Sequence, residues 1–334
     1  MSAAPELPPP SPRRGRLRPL WRWSERALVA LVALGTGLAF GLRDAVVPWT
    51  SLVFYATPLP LLCLGALTGA ALAARRSRRR ASAWGVLACV LIAVTLQSET
   101  FRASPQAASA ATTETLRVVT WNLHGGQAGL DPILSALAEL DGDVLCLSEV
   151  GHYADRERSF LGALEARLRG RGYLLRTWPG ARLIVALRAS EGELHKQTWD
   201  RADGVARILW TEARWRGRPL RLALTDFRST PTLDRRPGTE RLLTSLEAGS
   251  QPWICMGDFN TPRTSRCFDP WREAGATHAF EAAGAGYAPT WPAPLPVLTL
   301  DHTWSHGLVL LSASAPIRGE SDHCPLIVTL GWPD

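Results

Sequence analysis

The sequence predicts an α/β domain over residues 116–334, preceded by three helices that cross a membrane. A strand–helix–strand pattern at the start of the domain and a strand hairpin in its middle indicate the α/β class. Three long apolar stretches, with an Arg-rich block between two of them, indicate the membrane helices. The chain has 334 residues, of which 46% are hydrophobic, so it can bury one large core or two smaller ones.

The strand–helix–strand pattern opens the domain. Apolar residues at 116–121 and 143–147 are typical of buried strands, and residues 132–140 have the spacing of an amphipathic helix. Two strands joined by a crossover helix run parallel, so their carboxyl ends lie at one edge of a sheet. We therefore expect Asn122 and Glu149, which follow these strands, to lie close together.

Further strands and helices are expected along the rest of the domain. The hairpin comprises residues 205–215 and 219–225. An apolar strand from Trp253 ends in Asp258 and Asn260, whose side chains should point the same way because residues two apart in a strand share a face. The other expected elements are helices at 156–169 and 236–247 and strands at 173–176, 182–187, 297–300, 308–312 and 326–330.

The three apolar stretches lie at residues 27–42, 45–74 and 81–97. A membrane-spanning helix needs roughly 17–25 residues, so the first is slightly short, the second long and the third marginal. Residues 75–80 contain five Arg, and short Arg-rich loops stay in the cytoplasm. The basic N-terminus can lie on the same side as residues 75–80 only if the chain crosses the membrane twice between them. A third crossing, after residue 80, then places the domain outside the cytoplasm. The alternative interpretation is three buried helices of a soluble domain.

The expected organisation therefore has four parts. Residues 1–26, rich in Pro and Arg, form a basic cytoplasmic tail, and residues 27–97 form a three-span membrane anchor. Residues 98–115, rich in Ala, Ser and Thr, form a flexible linker, and residues 116–334 form the α/β domain. This predicts a multi-pass protein of the cell membrane whose domain is extracytoplasmic.

Composition narrows the function classes. Residues 1–114 contain 13 Arg and five acidic residues, whereas the remainder contains 24 basic and 25 acidic residues. A domain of almost no net charge favours a small or membrane-borne substrate over long DNA. The six Cys form no CxxC pair and no Cys/His spacing, so neither a zinc site nor a disulfide framework is indicated.

Polar residues recur where the expected strands end or begin. Several carboxylates brought into one cleft would repel each other and lose hydration unless a cation lay among them. Oxygen ligands of this kind suit Mg²⁺ or Mn²⁺ better than zinc. The candidates are Asn122, Glu149, Asp258, Asn260 and Asp301 at strand ends, and Asp322 and His323 just before the last strand.

These residues lie in five short motifs whose order and spacing resemble the endonuclease/exonuclease/phosphatase superfamily over about residues 116–331. The resemblance implies a four-layer α/β sandwich, in which two mixed, mainly antiparallel sheets are flanked by helices. The motifs are Trp121-Asn122-Leu123-His124, Ser148-Glu149, Gly257-Asp258-Phe259-Asn260, Leu300-Asp301-His302 and Ser321-Asp322-His323.

The resemblance also implies the residues of a metal site. Glu149 would be the principal ligand of Mg²⁺, or of Mn²⁺, and Asn122 would assist it. Asp322 would lie near the metal. These roles suit the hydrolysis of a phosphate ester, which needs a cation that neutralises phosphoryl oxygens.

Four further residues would act on the substrate and the attacking water, by the same resemblance. Asp258 would position or deprotonate the water, and Asn260 would orient Asp258 and donate to a phosphoryl oxygen. His323 would contact the phosphate and stabilise its developing charge. Asp301 would hold His323 in place.

One position departs from the family pattern. Many members have His at the end of the strand that here ends in Asp226, so an anion would replace a phosphate-contacting group. Asp226 could become an additional metal ligand or could weaken phosphate binding. Arg228 or Arg188 could supply the missing positive charge.

Three functions are compatible with these patterns. The first is a membrane-anchored, Mg²⁺-dependent phosphohydrolase, similar to teicoplanin-resistance-like proteins, that cleaves a phosphate ester or pyrophosphate, with lipid-linked phosphates among the expected substrates. The second is an extracytoplasmic, metal-dependent nuclease. The third is a non-catalytic binding module with a degenerate site. Trp291 and Trp304 flank the expected site and could form a wall of its cleft.

Overall fold

The computed structural model describes residues 18–44, 48–101, 114–151, 155–178, 180–202 and 204–333. Most of the expected cytoplasmic tail and residues 102–113 of the expected linker lie outside these ranges. Nine α-helices lie within the described residues: α1 (Arg18–Gly37), α2 (Pro48–Ala56), α3 (Leu59–Ala74), α4 (Arg78–Glu99), α5 (Leu130–Leu140), α6 (Asp155–Gly170), α7 (Arg236–Glu247), α8 (Asp269–Glu273) and α9 (Ala279–Ala283).

The strands of the described residues fall mostly in the C-terminal two thirds of the chain. They are β1 (Thr100–Phe101), β2 (Thr115–Asn122), β3 (Val144–Ser148), β4 (Tyr173–Leu175), β5 (Ile184–Arg188), β6 (Gly192–Ala202), β7 (Ala206–Trp215), β8 (Arg218–Phe227), β9 (Trp253–Asp258), β10 (Thr277–His278), β11 (Gly286–Tyr287), β12 (Asp301–His306), β13 (Val309–Ser314) and β14 (Leu326–Gly331).

Two six-stranded sheets form the domain. The first has the order β10-β12-β9-β8-β7-β6, and the second has the order β13-β14-β2-β3-β5-β4. Each contains one parallel pair, β8–β9 in the first and β2–β3 in the second, and all its other pairs are antiparallel. The expected pair of mixed, mainly antiparallel sheets is confirmed.

Both faces of the central strands are buried. In β2, Leu116 and Val118 face the core between the two sheets, whereas Val119 and Trp121 face the helices outside. β9 alternates in the same way between the inter-sheet core and an outer core. Strands buried on both faces read as continuous apolar runs, which is why the sequence located these strands correctly.

Helices cover the outer face of each sheet. Ile133 and Leu137 of α5 and Leu164 of α6 pack against the second sheet. Leu242 of α7 and Trp271 of α8 pack against the first. The resulting order of layers is helix, sheet, sheet, helix.

Two expectations about strands were wrong. Residues 297–300 are not a strand, and Asp301 begins β12 instead of ending a strand. β6 was not expected, because it is an edge strand of polar composition that pairs only with β7 within the first sheet. An edge strand keeps one side in solvent, so it lacks the apolar run that marks the central strands.

The N-terminal helices correspond to the apolar stretches, but three spans are not confirmed. Among the described helices, α4 alone is long and apolar enough to cross a bilayer by itself. α2 and α3 qualify only as a bent pair, with an angle of 71° between them, and the apolar helix Arg26–Leu42 is shorter. Within the described ranges, therefore, one helix is a candidate span by length and composition, or two segments if the bent pair is counted as one span.

The expected boundaries also shift at both ends of this region. Residues 18–26 of the expected tail belong to α1, and residues 98–101 of the expected linker are ordered. The last two of these residues form β1, which pairs antiparallel with β11 of the domain. The helical region is therefore joined to the domain by backbone hydrogen bonds.

Gly257 provides a test of how the first sheet is packed. Its φ is +134°, and a Cβ atom there would lie 1.9 Å from the carbonyl oxygen of Thr225 in β8. We expect Gly257→Ala to lower the free energy of unfolding by about 3 kcal/mol, because both backbone strain and a clash result. Chemical denaturation of the purified protein measures this change.

Gly249→Ala is the matched control, since its added Cβ would meet nothing closer than the Arg221 side chain at 3.7 Å. We expect it to change the free energy of unfolding by less than about 0.5 kcal/mol. Equal effects of the two substitutions would contradict this account of the β8–β9 pair.

Candidate active site

The candidate residues meet at one rim of the sandwich because of the strand directions. The carboxyl ends of the parallel pairs β2–β3 and β8–β9 lie there. β14 runs antiparallel to β2, and β12 runs antiparallel to β9, so both begin at the same rim. Asp301 therefore lies opposite Asp258 in the β12–β9 register, although it starts a strand.

Asp258 connects the two sheets. Its Oδ2 accepts a hydrogen bond of 3.0 Å from Nδ2 of Asn122, which lies at the end of β2 in the other sheet. Asn260 donates its backbone N–H to Oδ1 at 2.8 Å and its side-chain amide to Oδ2 at 2.9 Å. The same amide also donates to the carbonyl of Phe227 at 2.8 Å. The carboxylate is thereby fixed in one orientation.

His323 is held by a second buried carboxylate. Its Nδ1 donates to Oδ2 of Asp301 at 2.8 Å, and Thr290 donates its hydroxyl to the same oxygen at 2.6 Å. The indole of Trp121 donates to the His323 carbonyl at 2.9 Å, and Ser321 accepts from the His323 backbone N–H at 3.2 Å. The orientation of the imidazole is therefore set by its neighbours.

These contacts shift the proton affinities of the site. Burial raises the pKa of Asp258 well above its ordinary value, and although the positive charge of His323 lowers it, Asp301 raises it further. Burial would lower the pKa of His323, but the carboxylates of Asp301 and Asp258 outweigh this and raise it to about 10. At neutral pH the imidazole is therefore a cation among carboxylates.

A second group of carboxylates lies beside the first. Oxygens of Glu149, Asp226 and Asp258 all lie within 4.8 Å of one another. Asp226 is 4% exposed and forms an ion pair with Arg207, its cross-strand neighbour on β7. Burial raises the pKa of Asp226 to about 6, although Arg207 lowers it. The positive charge beside Asp226 thus comes mainly from Arg207, and Arg182 adds a smaller contribution.

The residues present fit a divalent cation. Asp258, Asp301 and His323 form one group of close ligand atoms, and Glu149, Asp226 and Asp258 form another. Oδ1 of Asp301 is buried and has no hydrogen-bond partner, and a buried carboxylate oxygen without a donor is stabilised by a cation. Oxygen-rich ligand sets of this kind are typical of Mg²⁺ or Mn²⁺.

Asn122 lies beside this cluster, whereas Asp322 lies in neither group. Oδ1 of Asn122 accepts from the backbone N–H of His124 at 2.9 Å and keeps a second lone pair for a metal. The oxygens of Asp322 face His124 Nδ1 at 3.2 Å and Trp291 Nε1 at 3.2 Å. Asp322 therefore shares the site's cavity without meeting the other carboxylates.

The site opens into a cavity of about 480 Å³. Glu149, Asp258, Asn260, Asp322 and His323 line one part of it. Apolar side chains and Trp291 line another part, as expected for that Trp. This volume is within the range for ligands larger than a phosphate group.

Three other expectations about the surroundings of the site were wrong. Trp304 is fully buried among aromatic residues of the outer core and does not line the cavity. Arg188 binds Asp141 and Asp143 at the opposite end of β3. Arg228 is exposed and is not among the cavity's lining residues. Neither Arg supplies charge at Asp226.

Several residues in and around the site were not assigned a role from the sequence, although His302 lies in one of the five motifs. Thr290 and Arg207 are isolated polar residues that reach the site only through folding. His278 and His302 form a buried pair with 3.1 Å between their ring nitrogens. Nε2 of His302 donates to the carbonyl of Thr261 at 2.7 Å, which supports the loop after β9.

Two mixed sheets with a carboxylate-rich rim define a hydrolase-like α/β sandwich. The chain belongs to the Endonuclease/Exonuclease/phosphatase family, whose model matches residues 119–323, more than half of its length. Members of this superfamily are generally metal-dependent phosphoester hydrolases or nucleases. No curated protein sequence matches the chain.

Solved structures share the fold. An endonuclease/exonuclease/phosphatase from Bacteroides vulgatus has a TM-score of 0.55 and 16% identity, covering 66% of this chain and 100% of that one. D. rerio TDP2 complexed with a single-strand DNA product has a TM-score of 0.53 and 17% identity, covering 65% of this chain and 99% of that one. A functionally unknown conserved protein from Enterococcus faecalis V583 has a TM-score of 0.54 and 12% identity, covering 65% and 100%.

Because the His278–His302 pair is buried, we expect the protein to lose stability in acid. Burial lowers the pKa of His302 from 6.5 to about 4. Folding therefore favours the neutral form of His302. The contribution of this neutral imidazole to the free energy of unfolding is complete above pH 6.5 and is lost as the pH falls towards 4. The loss is on the order of 3 kcal/mol.

His302→Gln keeps a donor for the Thr261 carbonyl and removes the titrating group. We expect its free energy of unfolding to fall less steeply between about pH 6.5 and pH 4 than that of the wild type. His195→Gln, at an exposed position, should retain the wild-type slope. If the free energy of unfolding fell equally steeply with pH in His302→Gln and in the wild type, His302 would not be the cause of the loss of stability in acid.

Proposed function

We propose that the chain is a membrane-anchored, Mg²⁺- or Mn²⁺-dependent phosphoric ester hydrolase whose active site lies outside the cytoplasmic membrane. One observation carries the proposal. Asp258, Asp301 and His323 form a buried group next to Glu149, in which His323 donates to Asp301, and this group borders a cavity large enough for a substrate.

Glu149 would hold the metal together with Asn122, and Asp226 lies close enough to be an additional ligand. Bound there, the cation would neutralise phosphoryl oxygens and stabilise the charge that develops in the reaction. Glu149 adopts a φ of +50°, an uncommon conformation for a residue with a side chain. Strain of this kind at a site is typical of a functional constraint.

Asp258 is suited to accept a proton from the attacking water. Burial raises its pKa above the ordinary value, which makes it a stronger base. The amide of Asn260 and that of Asn122 both donate to Asp258. They fix the orientation of the carboxylate, which lines the cavity.

His323 is suited to bind the phosphoryl group. Its Nε2 lies 3.8 Å from Oδ2 of Asp258, which is longer than a hydrogen bond. This N–H therefore remains available for a substrate oxygen. Asp301 holds the other side of the ring at 2.8 Å and favours the protonated form, which is the form that stabilises a developing negative charge.

The surface of the helical region supports membrane anchoring. Every exposed large hydrophobic residue of the described chain except Leu295 and Ile317 lies between residues 29 and 96. Helices with apolar outward faces bury them in a bilayer or against a partner. The turn at Arg43 and the end of α4 both contact the domain, so they lie on one side of the helices. This supports the orientation with residues 75–80 on the other side.

Membrane-borne phosphates are the substrate class that fits this arrangement. A domain held at a membrane surface meets lipid-linked phosphate esters and pyrophosphates, which would also suit the type similar to teicoplanin-resistance-like proteins. The second candidate function is a nuclease, because TDP2, which shares the fold, has been solved with a single-strand DNA product. The near-zero net charge beyond residue 114 favours the first candidate.

Substitution of the metal and phosphate residues tests the activity. We expect the full chain in detergent to release phosphate from phosphate esters with Mg²⁺ and to lose this activity on addition of EDTA. Glu149→Ala and His323→Ala should each lower kcat/KM at least about 100-fold, since they remove a metal ligand and a transition-state donor. Phosphate release measured against substrate concentration gives these values.

Glu247→Ala and His195→Ala are the matched controls, because both residues are exposed. Glu247 ends α7 just before β9 begins, whereas Asp258 lies at the other end of β9. We expect both to retain wild-type turnover. Full activity in Glu149→Ala would overturn the proposal. Faster, salt-sensitive cleavage of plasmid DNA than of small phosphate esters would favour the nuclease instead.

Cysteine labelling tests the orientation. In a Cys89→Ser background, a membrane-impermeant maleimide applied to intact cells should label Ser190→Cys in the domain and leave Ser77→Cys unlabelled until the cells are lysed. The reason is that Ser77 lies within the Arg-rich block, which should stay cytoplasmic. Labelling of both positions in intact cells would be incompatible with this topology.

A further inference from the structure

Helix α2 forms part of the catalytic cavity, although it precedes the domain by about sixty residues. Leu52, Tyr55 and Ala56 line the same cavity as Asp258 and His323. Leu298, Leu300 and Pro231 extend this apolar lining. The cavity therefore has a carboxylate-rich part and an apolar part, and α2 supplies half of the six apolar residues just named.

The position of α2 is fixed by contacts at its C-terminal end. The hydroxyl of Tyr55 accepts a hydrogen bond of 3.2 Å from Arg235, whose guanidinium also lies 5.3 Å from the centre of the Tyr55 ring. Arg235 is 2% exposed and also donates to the carbonyls of Arg228 at 2.7 Å and Thr230 at 3.0 Å. Tyr55 is thus joined to the segment that follows β8.

Arg43 and Asp44, which precede α2 in the sequence, are fixed as well. Arg43 forms an ion pair with Asp269 and donates to the carbonyl of Thr264 at 3.1 Å. Asp44 accepts hydrogen bonds from the Ser265 hydroxyl and, at 2.9 Å, from the Arg266 backbone N–H. These contacts connect α2 to the loop that follows the catalytic motif of β9.

Beyond Ala56 the apolar surface continues. α2 and α3 meet at an angle of 71°, and α3 carries exposed leucines on its outer face. An apolar group in the cavity would therefore have a path along α2 towards the helices that we propose lie in the membrane. A free nucleotide or an inorganic phosphate would leave Leu52, 37% exposed, without an apolar contact.

We infer that α2 selects the substrate: the site takes a phosphate ester or pyrophosphate of a long-chain alcohol, whose chain lies against Leu52, Tyr55 and Ala56. This inference rests on the hydrolase activity proposed above and adds the residues that determine specificity. Each buried methylene group strengthens binding by about fourfold. Chain length should therefore affect KM more than kcat, because the chain is bound equally before and during the reaction.

The experiment compares a short-chain and a long-chain alkyl phosphate, each below its critical micelle concentration, with the full chain in detergent. We expect the wild type to have a markedly lower KM for the long-chain ester. Leu52→Ser should raise that KM about tenfold, with little change in kcat and with no change for the short-chain ester. Ala56→Leu, which narrows the cavity, should also raise the KM for the long-chain ester.

Leu61→Ser on α3 is the matched control, because Leu61 is 43% exposed and does not line the cavity. It should leave both substrates unaffected. If Leu52→Ser and Ala56→Leu leave the KM of both esters unchanged, or change the KM of both esters equally, α2 does not select the substrate. The hydrolase activity stands in that case. If the wild type cleaves neither alkyl phosphate but hydrolyses other phosphate esters, the inference fails and the hydrolase function stands. If it hydrolyses no phosphate ester with Mg²⁺, the hydrolase function fails as well.

Discussion

The hydrogen bond between Asn122 and Asp258 is the contact on which the site depends. It joins the ends of β2 and β9, which belong to different sheets, at 3.0 Å. Packing of two sheets brings their faces together but leaves the rims free to slide, because hydrophobic burial has no direction. A directed hydrogen bond between two fully buried side chains specifies the alignment of the rims. The hydrogen bond between Asp301 of β12 and His323, just before β14, joins the same two sheets and maintains that alignment.

Charge balance explains the rest of the site. Asp258 and Asp301 are buried beside a single imidazolium, and Asp226 is neutralised by Arg207. Glu149 adds one more carboxylate at the opening of the cavity. Burial, together with the neighbouring carboxylates, raises the pKa of Asp258, and the carboxylates of Asp301 and Asp258 raise the pKa of His323 in spite of its burial. A site with this excess is stabilised by a divalent cation, and it repels a phosphate group unless that cation is bound.

The helical region and the domain form one functional unit in this structure. The two attachments, at Arg43 with Asp44 and at the end of α4, lie on the same side of the helices. Between them α2 closes one part of the catalytic cavity. A domain on a flexible tether would sample many orientations, whereas two fixed attachments hold the cavity in one orientation relative to the helices. If these helices lie in a membrane, as we propose, the same attachments orient the cavity relative to its surface.

The sequence by itself determined the α/β class of the domain, the position of its central strands and the polar residues that follow them. Apolar runs and helical spacing located β2, α5 and β3, and the polar residues that follow such strands included Asn122, Glu149 and Asp258, because these signals are local and periodic. Only the tertiary structure decided that Asp301 starts a strand, that Arg207 pairs with Asp226, and that α2 lines the cavity. Those facts depend on contacts between distant segments, which packing sets and which no local pattern records.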